Sequence, residues 1–572
     1  MAGSRRTRTN VIGFALGSAA LMCLCTLQMA QARILPSAKA RAPKLVAQRA
    51  PDLPGDAELE SAGARIGEIR FDARQLFDAE AEDEDTTLTR LANRLHIQTR
   101  EATIADQLLF KSGDPYRAGL LEESARILRD TRYLRDATIR PVAFHDGVVD
   151  IEVTTQDVWT FNPGISFGRK GGKNSSGFEL EELNFLGTGT QLGVGFKSGV
   201  DRDSQFIHFR DRQLGSSWWD LSTTYSDNSD GRQAEFSFDR PFYALDTRWA
   251  AGISVLDDER TDSRYDLGEI TDQFATHEKQ ATVYWGRSAG LQNGWARRLS
   301  VGLSYDDHAF GLAPGEAAPL LLPGDRTLVY PWIGAEWVED AFRTARNRDQ
   351  IEKTEDYSLG WNARAQLGYA SSSFGSDRNA VMFSGSLSKG LPLSDRQSFF
   401  FGVDTGGRLE GGALAGSLLS ANARYYFRQS PRRVLFMNLS ATAGSDLDPD
   451  QQILLGGDNG LRGYPLRYQA GEGRWLFTAE QRLFSNWYPF QMFNVGGAVF
   501  YDMGATWGRD ALRDYSRGTP SQGLLRDVGF GLRFGSSRSA LGNVLHVDVA
   551  YPLDGDRSAR KLQFIIETRK SF

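Results

Sequence analysis

From Trp159 to the last residue the chain repeats one pattern: short segments of alternating apolar and polar residues, separated by clusters of Gly, Asn, Asp and Ser. In residues 544–551, Leu545, Val547, Val549 and Tyr551 fall on one face, with His546 and Asp548 on the other. Val528, Phe530, Leu532 and Phe534 alternate with Gly529, Gly531 and Arg533. Leu192, Val194 and Phe196 alternate in the same way with Gln191, Gly193, Gly195 and Lys197. A period of two puts successive side chains on opposite faces of a strand, so each strand has one oily and one polar side. An antiparallel transmembrane barrel uses strands of this kind, apolar toward lipid and polar toward the lumen. A large soluble sandwich or propeller is the competing reading, and the two ends of the chain weigh against it.

The composition agrees with a barrel. With 41% hydrophobic residues the mean hydropathy is still −0.39. A helical membrane protein needs runs of about 18 or more apolar residues, whereas alternating strands keep the average low. The only comparable run is near the N-terminus, where residues 11–27 follow Arg5, Arg6 and Arg8 and precede Ala30-Gln31-Ala32. That order is the layout of a cleavable export signal over residues 1–32. Cys23 and Cys25 are the only cysteines and both lie within it, so the processed chain is expected to have no disulfide and no thiolate metal site. A net charge of −6 over 572 residues leaves no nucleic-acid footprint.

Residues 33–63, with Pro36, Pro43, Pro51 and Pro54, read as a disordered linker. Residues 64–158 read as a small α/β domain. A strand is expected at 66–71, a solvated acidic run at 78–85, and an amphipathic stretch from Thr99 to Phe110. A helix over residues 116–134 follows, carrying Leu120, Leu121, Ala125, Leu128 and Leu134 near helical spacing. Segments 137–144 and 148–155 are joined at Asp146-Gly147, a hairpin signal. Lys111-Ser112-Gly113-Asp114-Pro115-Tyr116, Leu121-Glu122-Glu123-Ser124, Tyr133-Leu134-Arg135-Asp136-Ala137 and Val148-Val149-Asp150-Ile151-Glu152-Val153 together resemble a POTRA domain. The resemblance implies a periplasmic module that binds client strands along an exposed edge, or a spacer beneath the barrel.

Within the barrel region, residues 159–572, the stretch 456–468 (GGDNGLRGYPLRY) interrupts the alternation. Leu461-Arg462-Gly463-Tyr464-Pro465, after Gly456-Gly457, resembles the conserved loop of the bacterial surface antigen superfamily, the BamA/TamA-like barrels. In that family the loop enters the barrel and its Arg contacts an acidic residue on a strand with Phe-x-Asp-x-Gly. Phe500-Tyr501-Asp502-Met503-Gly504 matches that pattern here, and Glu480 matches a further acidic position. Parity speaks to the same residues: Glu480 lies on the polar face with Arg474, Thr478 and Arg482, while Trp475, Phe477 and Ala479 form the other. Val495, Val499, Tyr501 and Met503 are apolar, which puts Phe500 and Asp502 on the lumen side. A guanidinium in the lumen pairs well with carboxylates. The expected latch is therefore Leu461, Arg462, Gly463 and Tyr464, with Glu480, Phe500, Asp502 and Gly504 as partners.

Five strand segments follow this loop and about fifteen precede it, so a direct count gives ~20, but the resemblance implies sixteen and sixteen is the number expected, some segments then being extracellular hairpins. Residues 240–390 carry only generic alternation. Leu562, Phe564 and Ile566 share one face of the final strand, and Phe572 ends the chain as outer-membrane barrel strands often end. Thr568 and Lys570 depart from that signal.

No catalytic site is expected. Gly164-Ile165-Ser166-Phe167-Gly168 matches G-x-S-x-G but continues a strand without a following helix. The six histidines show no metal-ligand spacing, and Asp446-Leu447-Asp448-Pro449-Asp450 reads as an exposed acidic loop rather than a calcium loop. The resemblance implies an outer-membrane protein that assembles, inserts or translocates other polypeptides, without a cofactor. Its partners would be unfolded or β-rich clients, outer-membrane lipid, and accessory periplasmic or lipoprotein factors. The alternative is a secretion channel or passive pore of the same superfamily.

Overall fold

The computed structural model describes residues 53–77, 87–489, 492–508, 523–539, 543–555, 559 and 561–572. The expected export signal, the linker up to residue 52 and the acidic run at 78–85 lie outside the described residues.

The α/β domain begins earlier than expected. Residues Asp56–Ser61 form helix α1, where the linker reading gave coil, because Leu59 is 1% exposed and packs into the domain core. Asp56 and Glu58 in its first turn suit the positive end of the helix dipole. Strand β1 (Arg65–Arg74) and helices α2 (Thr87–Leu95), α3 (Glu101–Ala105) and α4 (Ala118–Asp130) follow, then strands β2 (Leu134–His145) and β3 (Val148–Asp157). In α4, Leu121, Ala125 and Leu128 recur at intervals of four and three and form its buried face. Leu121 and Leu128 pack with Ile66, Ile104, Phe110, Val149, Ile151 and Val153. Strand β3 is central, parallel to β1 and antiparallel to β2. Asp146 and Gly147 at the β2–β3 turn both have positive φ (49° and 76°), the conformation a tight two-residue hairpin requires.

The remaining chain is a closed barrel of twenty strands with antiparallel neighbours, fifteen before the 456–468 loop and five after it. This is the direct count, four strands more than the resemblance implied. Val283, Trp285, Leu299, Val301, Leu303 and Ile333 make part of an exposed apolar outer band. Buried Asp258, Arg264, Arg298, Glu480 and Arg482 take alternate positions facing inward. Strands Trp249–Asp266, Glu269–Gln292 and Trp295–Leu312 have 18, 24 and 18 residues. About ten suffice to cross a bilayer. Among the described residues no helix is long and apolar enough to cross a membrane.

Closure is uneven. Strand Val544–Pro552 pairs with the last strand, Gln563–Arg569, continuously from Val544/Arg569 to Ala550/Gln563. The last strand then meets the first, Phe161–Lys170, through the single registered pair Ile566/Arg169. Phe564 stays on the outer face, 53% exposed, and Ile566 is half-buried. The terminal residue behaves differently: Phe572 is 2% exposed and turned inward, its ring 4.7 Å from that of Phe484. Gly496 makes this possible, because a Cβ there would lie 2.7 Å from the Phe572 ring.

Strands Arg326–Glu339 and Asn362–Ala370 are joined at the mouth beside the α/β domain by a long connection. It carries its own hairpin, Phe342–Ala345 paired with Glu355–Ser358.

Leu128 is fully buried between α4 and the sheet. Leu128→Ala should destabilise the α/β domain by about 2–5 kcal/mol. Limited proteolysis should then cut within residues 64–158 at lower protease concentration while the barrel keeps its heat-modifiable mobility.

Candidate functional site

The loop at 456–468 is closed at its neck by short antiparallel strands, Ile453–Leu455 and Gln469–Gly471. Local hydrogen bonds shape its tip. Asn459 accepts from the Gly456 amide (2.8 Å) and donates to the Leu454 carbonyl (2.7 Å), while the Gly457 amide donates to the Pro465 carbonyl (2.8 Å). Gly460 has φ +125°, a conformation open to glycine, and a Cβ there would lie 2.2 Å from Leu476. These constraints turn the Leu461–Tyr464 stretch into the lumen, where Leu461 and Tyr464 are 0% exposed and Arg462 is 2% exposed.

There Arg462 meets the two expected carboxylates. Its Nε and Nη2 donate to the two oxygens of Asp502 (2.7 and 2.9 Å), and its Nη1 donates to Glu480 (2.7 Å). The Phe500 ring centroid lies 3.4 Å from the guanidinium carbon, so the cation is held in its plane by carboxylates and on one face by an aromatic ring. Gly529 lets Phe500 lie flat across the neighbouring strand, since a Cβ there would lie 2.3 Å from that ring. Gly504 serves the loop's neck: a Cβ would come within 2.5 Å of the Trp475 carbonyl and 3.3 Å of Leu455. The Gly463 amide donates to Asp527 (3.0 Å), and the Tyr464 hydroxyl donates to the Arg526 carbonyl (2.9 Å).

The arrangement is larger than the expected set. Asp527, Asp548, Arg482 and Arg533 all take part. Glu480 accepts from Arg482 Nε (3.0 Å) with its second oxygen, Asp548 lies 4.0 Å from Arg462, and Arg533 pairs with Asp548. Inner-face parity marked Asp548, Arg482 and Arg533, yet only the cross-barrel distance selects them. Glu480, Asp502, Asp527 and Asp548 sit on four consecutive strands, Gly473–Phe484, Phe493–Trp507, Leu525–Ser536 and Val544–Pro552. One loop tip therefore touches the whole wall leading to the last strand.

Elsewhere the acidic loop is engaged rather than free. Asp448 pairs with both guanidinium nitrogens of Arg408 (2.7 and 2.6 Å), and Asp450 lies 3.4 Å from Arg326. The G-x-S-x-G segment lies within strand Phe161–Lys170. Among the described residues two groups place histidine beside carboxylates: Asp257, Glu259 and His277, and Glu278, Asp306 and His308. Neighbouring strands bring them together, which linear spacing could not reveal. Their acids are already taken by His277 on Asp257 (2.7 Å), Arg232 on Glu259 (3.0 Å), Arg260 on Glu278 (2.7 Å) and His308 on Asp306 (3.0 Å). These pairings fit ion-pair networks across the strands.

A closed barrel with an apolar outer band, an N-terminal α/β domain and a loop folded into its lumen defines an outer-membrane β-barrel protein. A family profile, the Omp85 superfamily domain, matches residues 184–569, and the chain belongs to that superfamily. Solved structures with a similar course include BamA from Haemophilus ducreyi lacking POTRA domains 1–3, at 14% identity and a TM-score of 0.37 over 89% of this chain and 85% of that one. CdiB from Acinetobacter baumannii matches at 14% identity and a TM-score of 0.44 over 88% and 73%, and CdiB from Escherichia coli at 14% and 0.42 over 89% and 77%. No curated protein sequence matches the chain.

Arg462→Ala would leave Asp502 buried without its cation and Glu480 with Arg482 alone, a change worth about 3–5 kcal/mol. The variant should unfold in detergent at a lower temperature than the parent on heat-modifiability gels. Arg462→Lys should restore little, because an ammonium cannot make the two-nitrogen contact with Asp502.

Proposed function

We propose that this protein assembles or inserts β-rich polypeptides in the outer membrane, with the α/β domain as a POTRA-like module in the periplasm. The observation that carries the reading is the seam. A junction of one registered pair is the weakest in the barrel, and parting it exposes the unpaired amide and carbonyl groups of two edge strands. An extended client strand can pair with such an edge through its own backbone. The Arg462 loop acts as a latch that fixes the four strands before the last one and leaves Gln563–Arg569 as the movable edge. Lys170 adds an ion pair across the seam that must break when it parts: its ammonium reaches Glu567 on the last strand (3.0 Å) and the Asp458 carbonyl of the loop (3.0 Å). One side chain thus ties the first strand, the last strand and the loop together.

A dedicated secretion channel of the same superfamily would also use a loop-filled lumen. The two readings part on what is lost when the protein is depleted. A census of the outer-membrane proteome should show broad loss of barrels under the assembly reading. Loss of one exported protein would replace it with dedicated secretion, and an unchanged census would remove both.

The seam can be tested directly. Directly opposed residues of an antiparallel pair lie at a separation a disulfide can bridge, about 4.5–5.5 Å between Cα atoms. Arg169→Cys with Ile566→Cys should cross-link on oxidation and abolish client assembly, and reductant should restore it. Full assembly in the oxidised form would defeat the seam mechanism.

A further inference from the structure

The connection between strands Arg326–Glu339 and Asn362–Ala370 is held from two sides by different chemistry. On the barrel side, Asp349 accepts from the Tyr426 hydroxyl (3.0 Å) and from Arg482 Nη1 (3.1 Å), and its carbonyl accepts from the Phe572 amide (2.6 Å). The Arg348 guanidinium sits among Tyr357, Phe400 and Tyr426, 4.1 to 4.4 Å from each ring centroid. Ile351, 3% exposed, packs into the cluster of Phe484, Val544 and Phe572. On the domain side, the Arg129 guanidinium of α4 clasps Asp356 (2.7 and 2.6 Å), Asp136 of β2 accepts from the Thr354 hydroxyl (2.8 Å), and Arg135 donates to the Glu352 carbonyl (3.0 Å). The same segment is thus bolted to the wall at 348–351 and to the domain at 352–356.

The wall-side seat is imperfectly satisfied. Arg348 Nε and Nη1 are buried without a hydrogen bond, which costs free energy as long as the segment is docked. Burial beside Asp349 pushes the Glu355 carboxyl up to about 7. The domain-side contact is a two-bond arginine–carboxylate pair, the stronger kind. Movement of the domain therefore pulls through a firm clasp on a seat whose Arg348 donors gain partners on release.

We propose that residues 340–361 are a gate across the domain-side mouth of the barrel, drawn off the wall by movement of the α/β domain through the Arg129–Asp356 clasp. The occupant that moves the domain is an extended polypeptide on its sheet, which rests on the proposed function; the gate itself does not. The gate also reports to the latch, because Arg482 holds Asp349 with one nitrogen and Glu480 with another, and Glu480 holds Arg462. Withdrawal of Asp349 leaves Arg482 free to draw on Glu480 alone. This links the mouth beside the domain to the loop entering from the far side.

The test is the conductance of the purified full-length protein in a planar bilayer, with no client present. Replacing residues 342–358 by a short Gly-Ser turn should raise the open conductance above the parent's, since a barrel of this girth encloses an aqueous channel and the 456–468 loop is then what remains to obstruct it. Arg348→Ala with Asp349→Ala keeps the segment but removes its seat, and should raise the fraction of time spent open. Arg129→Asp alone should change the frequency of opening, and Arg129→Asp with Asp356→Arg should return it toward the parent. Parental conductance in the 342–358 replacement or in Arg348→Ala with Asp349→Ala, with a barrel still heat-modifiable, overturns the gate. Opening that follows the seat variants but ignores Arg129→Asp overturns the domain's part in it. Neither result bears on the proteome census, so a failed gate and a failed assembly function are told apart.

Discussion

A fully buried guanidinium on a loop is an expensive thing to keep, and the lumen is arranged around that cost. Arg462 can lie there only because carboxylates from neighbouring strands reach it and an aromatic ring covers one face. Those carboxylates need further partners of their own: Glu480 takes Arg482, and Asp548 takes Arg533. The result is a layer of alternating charge in which each member is compensated by the next. Several inward-facing glycines of these strands follow from the same layer. Gly529 makes room for Phe500, and a Cβ at Gly531 would collide with Asp548. Sequence features that look like loose packing are thus the space the charges occupy.

The same layer explains how stability is shared out along the wall. Strands from Gly473 to Pro552 are joined both by their ladders and by contacts to one loop tip, whereas the last strand has its ladder on one side and, on the other, one registered pair and the Lys170–Glu567 ion pair. Local stability in a sheet follows the number of ties each strand has. The barrel is therefore stiff where it is latched and soft immediately beyond, with the soft place defined by where the latch stops.

What the sequence reveals depends on whether a residue's task is local. The parity of Glu480 and Asp502 is a property of a few neighbouring residues, so their inward direction can be read from the chain. The α4 face and the Asp146-Gly147 turn are legible for the same reason. The partnership of Asp527 with the Gly463 amide is not, because several inner-face acids have equal parity and only the closed barrel ranks them by distance. The hairpin at Phe342–Ala345 and Glu355–Ser358 escapes notice because four-residue strands rich in charge have no period to detect. Its order comes from Phe400, Tyr426 and Arg129, far away in the chain. Phe572 misleads for a related reason. Extrapolated parity places it with Phe564, but the strand ends at Arg569 and a pocket beside Gly496 and Phe484 takes the ring.

Strands Trp249–Asp266, Glu269–Gln292 and Trp295–Leu312 carry a consequence for the outline of the molecule. Their apolar outer positions, such as Val283, Trp285 and Val301, give way toward the loop side to Asp257, Glu259 and His277 on the same face. Lipid ends where that change occurs. Strand Glu269–Gln292 has roughly a dozen residues on the far side of it, about 40 Å of extended chain. On that flank the extension leans over the barrel's own mouth: Leu267 packs against the cluster of Leu461 and Tyr464, Arg264 donates to the Pro449 carbonyl, and the Tyr265 ring lies 4.3 Å from the Arg467 guanidinium. Its turn at Leu267-Gly268 reaches Pro465 and Leu466, so from the loop side this hairpin covers part of the loop that fills the lumen.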